Sequence, residues 1–201
     1  GVYTGFYNVT GTKNTWVGSN AGFGASGNSN SNNTGIGANA MLDVTTGNEN
    51  VAIGSHAMYN STTGYDTVAI GREAIGLGVY TGSDNTVVGK GAGYDLTSAT
   101  NNTFVGRAAG ANLTVGSNNV AIGFQSFDAA NAGEAANIAI GYSAMGAVDE
   151  ANNAGAGVHS ADNNVAIGYN ALLGGVIGGG DVNDSTDRRL NHNIAIGYGS
   201  L

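Results

Sequence analysis

Residues able to do chemistry are sparse in this chain, and their spacing decides what they can do. The run Asp181, Val182, Asn183, Asp184, Ser185, Thr186, Asp187 offers oxygens at alternate positions, as the opening of a calcium loop does. A calcium loop also needs Gly at its sixth place and Glu at its twelfth, where this chain has Thr186 and His192, so a solvated turn is expected. The three histidines, His56, His159 and His192, lie too far apart for a local ligand motif, and with no Cys there is no thiolate site. Asp149 and Glu150 adjoin each other without a partner acid in an apolar setting, so glycosidase chemistry would need groups from different chains. No nucleophile elbow, Walker loop or dinucleotide fingerprint stands in its proper context. Neither an enzyme nor a cofactor is expected.

Composition narrows the class further. Gly reaches 36 residues while Pro and Cys are absent, which excludes both a collagen-like chain and a disulfide scaffold. Charged residues make up 10% and apolar ones 41%, too few charges for a helical bundle and too much apolar content for a disordered tail. Turn-rich β structure fits both. A net charge of -8 with six cations, Lys13, Arg72, Lys90, Arg107, Arg188 and Arg189, leaves no basic stripe for phosphates, so no nucleic acid is expected as partner. No apolar run approaches the roughly 20 residues that span a bilayer, so membrane insertion is not expected either.

What must position these residues is a repeat. Asn50-Val51-Ala52-Ile53-Gly54 recurs as Asn119-Val120-Ala121-Ile122-Gly123 and Asn164-Val165-Ala166-Ile167-Gly168, with variants along the chain. Its Gly falls at positions 18, 37, 54, 71, 89, 106, 123, 141, 168 and 197, mostly 17 to 18 residues apart. A near-fixed period of this kind marks a solenoid. Gly1 to Phe6 reads like Gly18 to Phe23, so the chain is expected to open inside a further copy and to be a segment of a longer fibrous protein. Residues 1–201 form a single array, with insertions at 147–160 and 174–189 that should leave the coil as loops. A shorter extra, Gly24 to Ser31, is Gly, Ser and Asn with one Ala, and reads as a flexible loop.

Each column of the repeat carries a physical expectation. Asn stands four residues before the Gly in every copy except the one with Thr67, either as a stacked amide ladder or as a turn residue tolerating left-handed backbone. The residues three and one before the Gly are β-branched throughout, and sharing one face of a strand they are expected to point into the coil. The residue between them is usually Ala, so the other face should also be covered, by a neighbour outside its own coil. Two columns exchange volume: where the residue two before the Gly is Trp16, Val87 or Phe104, the residue four after it is Gly22, Gly93 or Gly110. Where the first is Ala or Gly, the second is Met41, Met58, Ile75, Phe127, Met145, Leu172 or Leu201. Constant summed volume implies one shared buried space, within a coil or across an interface. A Gly seven before the reference Gly, as at Gly47, Gly64, Gly82 and Gly116, is expected to turn through positive φ.

The Asn-Val-Ala-Ile-Gly core followed by Ala, with Thr-Thr-Gly-Asn turns such as Thr45 to Asn48, resembles the head repeat of YadA-like trimeric autotransporter adhesins and repeats of bacteriophage tail fibres. That resemblance implies a left-handed parallel β-roll, about ten coils here, three chains packing side by side as a homotrimer. The adhesin repeat is shorter than this one, so a wider coil is expected. The implied role is a structural and adhesive fibre module, in a virion tail fibre or at a cell surface, that forms a rigid rod and contacts a host surface glycan or protein. Its expected contacts lie in the insertions, at Asp149, Glu150, His159, Asp181, Asp184, Asp187, Arg188 and Arg189, with Phe124, Tyr142, Tyr169 and Tyr198 as either contacts or packing residues. The alternatives are a self-polymerising extracellular filament subunit and, less well matched by the irregular Thr pattern, an ice- or carbohydrate-binding solenoid.

Overall fold

A computed structural model describes residues 1–129, 133–146, 161–173 and 192–200. Ten three-residue strands follow one another in the chain: β1 (Thr15–Val17), β2 (Thr34–Ile36), β3 (Val51–Ile53), β4 (Val68–Ile70), β5 (Thr86–Val88), β6 (Thr103–Val105), β7 (Val120–Ile122), β8 (Ile138–Ile140), β9 (Val165–Ile167) and β10 (Ile194–Ile196). They form a single parallel sheet in sequential order. Like pairs with like, as in Ala52 with Ala69 and Ile53 with Ile70, so every repeat column becomes a row down the solenoid. No helix occurs among the described residues.

Each strand is short because the column before it and the column after it both end the pairing geometry. The residue five before the Gly sits in left-handed backbone in every copy, for example Glu49 at φ 61° and Asn118 at φ 61°. The reference Gly then adopts φ between 126° and 141°, a region that L side chains rarely enter. Space forbids a side chain there as well: a Cβ on Gly54 would lie 2.5 Å from the carbonyl oxygen of Gly71. The Gly seven residues earlier behaves differently from the sequence expectation. Gly47, Gly64, Gly82 and Gly116 do not have positive φ; they are small because walls meet, a Cβ on Gly47 coming 2.6 Å from the Gly64 carbonyl oxygen.

The coil interior also reverses one sequence expectation. Its lining is the Ala column, with Ala52, Ala69, Ala121, Ala139 and Ala166 wholly buried, whereas the β-branched residues on either side face outward. Val17, Ile194 and Ile196 remain more than half exposed. The physical reason is volume. A three-residue strand has one inward position, and that position shares its space with the residue six further on, so two β-branched columns would not fit. The Ala face is therefore covered within the chain, not by a neighbour.

The exchanged volumes meet inside one coil. A Cβ on Gly22 would strike the Trp16 indole, and a Cβ on Gly110 would lie 2.5 Å from the Phe104 ring. Gly93 is hemmed by Leu96 at 2.7 Å and Val87 at 3.4 Å. This turn position is left-handed in every described copy, so Met41 (φ 52°), Ile75 (φ 52°) and Phe127 (φ 56°) are strained there. Left-handed backbone costs about 1–2 kcal/mol per residue. Full burial of a Met, Ile or Phe side chain returns about 1.5–3 kcal/mol, so packing wins by a small margin.

The extra stretch from Gly24 to Ser31 is not a loose loop. Asn28 and Asn30 are buried, the Asn28 amide donates to the Val44 carbonyl, and the Ser31 N–H donates to Asn48 Oδ1 at 2.7 Å. At the start of the chain, Asn20 N–H donates to Val2 O and Gly5 N–H to Ala21 O. Gly1 to Phe6 thus stack on the next coil as a copy of the repeat.

Candidate functional site

Three constructions stand out along the solenoid, and each grows from one repeat column. The first is the Asn row. Asn102 donates from its backbone N–H and from Nδ2 to Asn85 Oδ1, at 2.9 and 3.0 Å, and from Nδ2 again to the Gly116 carbonyl at 2.9 Å. Asn119 repeats this toward Asn102 and Glu134 O, and Asn137 toward Asn119 and Ala161 O. These side chains are buried, so the row is an amide ladder that also ties each strand to the opposite wall. Burial without such partners would cost several kcal/mol per group, which is why the column holds a side chain that both donates and accepts.

The ladder is interrupted once, and the chain repairs it. At Thr67 there is no amide to donate, and the Tyr80 hydroxyl fills the gap, 2.7 Å from Thr67 Oγ1 and 2.7 Å from Asn85 Nδ2. Donors and acceptors order themselves as Asn85 Nδ2–H to Tyr80 Oη, Tyr80 O–H to Thr67 Oγ1, and Thr67 O–H to the Tyr65 carbonyl. Tyr80 is completely buried, and desolvation pushes its hydroxyl up to about 12. Gly64 makes room for the ring: a Cβ there would lie 2.5 Å from it.

The second construction is an exposed ladder formed by the residue after the reference Gly. Phe124, Tyr142, Tyr169 and Tyr198 stack face to face with centroids 5.2, 4.9 and 5.1 Å apart and planes within 14° of parallel. The Arg107 guanidinium caps this stack 5.3 Å from the Phe124 centroid. Phe124, Tyr142 and Tyr169 are covered on both faces and are packing partners that show solvent chiefly their rims, whereas Tyr198 is covered on one face and is 83% exposed. The same column holds Arg72, paired with Glu73 at 3.1 Å, and Lys90.

The third is a groove of about 530 Å³ lined by Tyr3, Phe6, Tyr7, Asn20, Phe23, Leu42 and Asp43. Its residues occupy the columns two, five and six after the Gly. Phe6 stacks on Phe23 at 5.7 Å, Tyr3 and Tyr7 stand edge-on to both, and Phe6 and Tyr3 are more than half exposed. Partial desolvation raises the Asp43 carboxyl above its ordinary value. The sequence expectations passed over this groove, although the aromatic match of Phe6 with Phe23 in one column was visible.

The expected contact residues Asp149, Glu150, His159, Asp181, Asp184, Asp187, Arg188 and Arg189 lie outside the described residues. Of the histidines, His56 is held rather than solvated: Nδ1 is 2.8 Å from Ser55 Oγ and Nε2 is 3.1 Å from the Asn39 amide. That amide donates to Nε2, so the proton of the neutral ring resides on Nδ1. Among the described residues, no group of three or more His, Asp or Glu side chains converges to hold a metal, and no helix is long and apolar enough to cross a membrane.

Comparison with known proteins returned no matching family model, no matching curated protein and no matching solved structure.

Proposed function

We propose that this chain is a structural and adhesive fibre module: a rigid rod of about ten coils, assembled from three chains side by side, in a virion tail fibre or an extracellular adhesin. The observation that carries this reading is the outward β-branched stripe. Val17, Ile36, Val105, Ile122, Ile138, Ile167, Ile194 and Ile196 are exposed along one face of a ten-stranded sheet. Monomeric proteins seldom leave so long an apolar strip in water, and a repeated flat strip fits a second copy of itself better than any other partner. With strands stacked at roughly 4.8 Å, ten coils make a rod of roughly 50 Å.

Stiffness follows from the same rows. The amide ladder and the in-register sheet leave each coil bonded to its neighbours along two walls, which suits a spacer that carries contacts away from its anchor. The sequence resemblance to adhesin heads and tail-fibre repeats supports the trimer and the left-handed roll.

Light scattering tests it. The chain weighs 19.9 kDa, and three times that mass is the expected result. Ile122→Lys with Val105→Lys should drive the assembly to single chains while the far-ultraviolet circular dichroism stays unchanged. A stable monomer of the unaltered chain overturns the reading, and open-ended growth with concentration would favour the filament subunit instead.

A further inference from the structure

The outward stripe is apolar along its middle and charged along both margins, over interior coils of the solenoid. Burial alternates along each coil: the Asn and Ala columns are buried, whereas the residue two before each strand, the two β-branched residues and the residue two after it turn outward together. Before β3, β4 and β5 the margin residue is Glu49, Asp66 and Asp84; after β4, β5 and β6 it is Arg72, Lys90 and Arg107. All six are exposed. Half of the six cations in the whole chain thus stand in one row on consecutive coils, across the stripe from three carboxylates stacked in the same manner. The only other Lys, Arg, Asp or Glu in either row, Lys13, lies level with the neutral Ser19.

Neither row is answered within its own chain. Like charges on directly neighbouring strands, roughly 4.8 Å apart, repel. The two rows stand six residues apart, up to roughly 20 Å at about 3.3 Å per residue, too far for an ion pair across the stripe. Glu49, Asp66, Asp84, Lys90 and Arg107 form no ion pair with any described residue. Arg72 spends one of its N–H donors on Glu73 and keeps the others. An anionic ligand on the basic row would leave the acidic row unanswered, and a cation on the acidic row would leave the basic one. A second copy of this chain answers both.

Symmetry then decides how the copies lie. Turning a chain about an axis parallel to the stack of coils carries its acidic margin beside the basic margin of the next chain, at the same height. Turning it about an axis along the strands reverses the stack and lays acid against acid and base against base. In the first arrangement Asp66 meets Arg72 of the neighbouring chain and Asp84 meets its Lys90, while Glu49 and Arg107 stand one coil below and above them. Apolar rows alone would not choose a register, because sliding one stripe by a coil sets like residues on like again, as Val51 and Ile53 match Val68 and Ile70. Charges confined to four coils remove that freedom.

We propose that Glu49, Asp66 and Asp84 of each chain clasp Arg72, Lys90 and Arg107 of the next, so that the chains associate parallel, in register and in a closed ring. The proposal rests on the assembly through the β-branched stripe given above, and it adds the direction, the register and the residues that set them.

Charge reversal tests it, read as the concentration at which the assembly of the whole chain half dissociates on dilution, by light scattering. Reversing one row, either Arg72→Glu, Lys90→Glu and Arg107→Glu or Glu49→Lys, Asp66→Lys and Asp84→Lys, should raise that concentration about tenfold or more. Lysine fits the backbone of the acidic row, where Lys13 already stands at φ 61°. Each variant changes six charge units, so the net charge of -8 becomes -14 in the first and -2 in the second, and a loss common to both is not overall repulsion. Reversing both rows in one chain keeps -8 and should return the concentration to within about threefold of the unaltered value. Circular dichroism of each variant confirms that the solenoid is intact. The chain has no Cys, so Asp66→Cys with Arg72→Cys gives a second readout: a short bismaleimide should join neighbouring chains when both thiols are present and not when either stands alone. Assembly indifferent to single-row reversal overturns the proposal, as does a double reversal no better than the single ones, cross-linking through one thiol alone, or none with both. A trimer indifferent to reversal sinks this inference and spares the trimer; a parallel dimer held by the charged rows sinks the count of three and spares this inference; a monomer sinks both.

Discussion

The buried amide ladder and the exposed aromatic ladder run down the same solenoid with the same repeat, and they differ in what each rung depends on. In the amide ladder one side chain meets needs in three places: the coil before it, the coil after it and the opposite wall. A missing rung leaves buried donors and acceptors unpaired. In the aromatic ladder each ring gains a stacking partner but keeps its rim in water, so a missing rung costs only that contact. Periodicity alone therefore does not measure importance; burial and unmet hydrogen bonds do. The chain itself demonstrates this. Its aromatic column gives way to Arg107, Lys90 and Arg72 without repair, whereas the one gap in the Asn column recruits a buried tyrosine.

The comparison extends inward to the packing that both ladders surround, where the largest effect is expected. Phe104→Ala should cost about 3–5 kcal/mol in denaturant unfolding, because Phe104 is fully buried and the Gly110 opposite cannot fill the void. Adding Gly110→Met should restore part of that loss. If the double variant is no more stable than the single one, the shared-space account of the two columns is wrong.

Asn102→Ala comes next and strikes the buried ladder itself. It orphans the Gly116 carbonyl and the Asn119 N–H, each worth about 1–3 kcal/mol when buried and unpaired, and leaves Asn85 Oδ1 with the Asn102 backbone N–H alone. A loss of several kcal/mol is expected, visible as a shift of the urea midpoint.

Tyr80→Phe removes only the repairing hydroxyl and should cost about 1–3 kcal/mol by taking from the buried Thr67 Oγ1 its donor, while Asn85 Nδ2 keeps the Ser83 and Ala99 carbonyls. The same group fixes an alkaline limit. Its proton is held to about 12 in the folded chain against 10.0 when free, so the folded state binds the proton more tightly. That contribution is intact below pH 10 and is lost as pH rises from 10 toward 12. Unfolding scans across that window should show about 2–3 kcal/mol of lost stability in the unaltered chain and less in Tyr80→Phe.

Tyr169→Ala, on the exposed ladder, should change stability least, by about 0.5–1.5 kcal/mol for the lost aromatic contacts. A cost equal to that of Asn102→Ala would erase the distinction between the two ladders.

Much of this was legible in the residues. Ten Gly positions at a near-fixed spacing gave the solenoid, the register and the parallel order, because a coil that repeats its sequence must place like residues in rows. The shared space of Trp16 with Gly22 and of Phe104 with Gly110 was also readable, since summed volume was constant. The inward direction of the Ala column was implied by that same exchange: a residue that trades volume with a core residue must itself face the core. The β-branched residues concealed it, because β-branched side chains favour strands whichever way they point. Gly24 to Ser31 was misread as a flexible loop for a related reason: its polarity suggested solvent, whereas Asn28 is buried with the Val44 carbonyl as its acceptor and the Asn30 carbonyl accepts from Asn14 Nδ2.

Sequence by itself determined the period, the strand positions, the Gly at each φ near 134° and the existence of a matched interior, all of which are local rules repeated many times. Only the tertiary structure decided which face of each strand is inside, that the Asn column is a ladder and not a set of turns, that Tyr80 completes it, and that Tyr3, Phe6, Phe23 and Asp43 meet at one groove. Those outcomes depend on contacts between coils, where a side chain is placed by the walls around it and by the hydrogen bonds left unmet there.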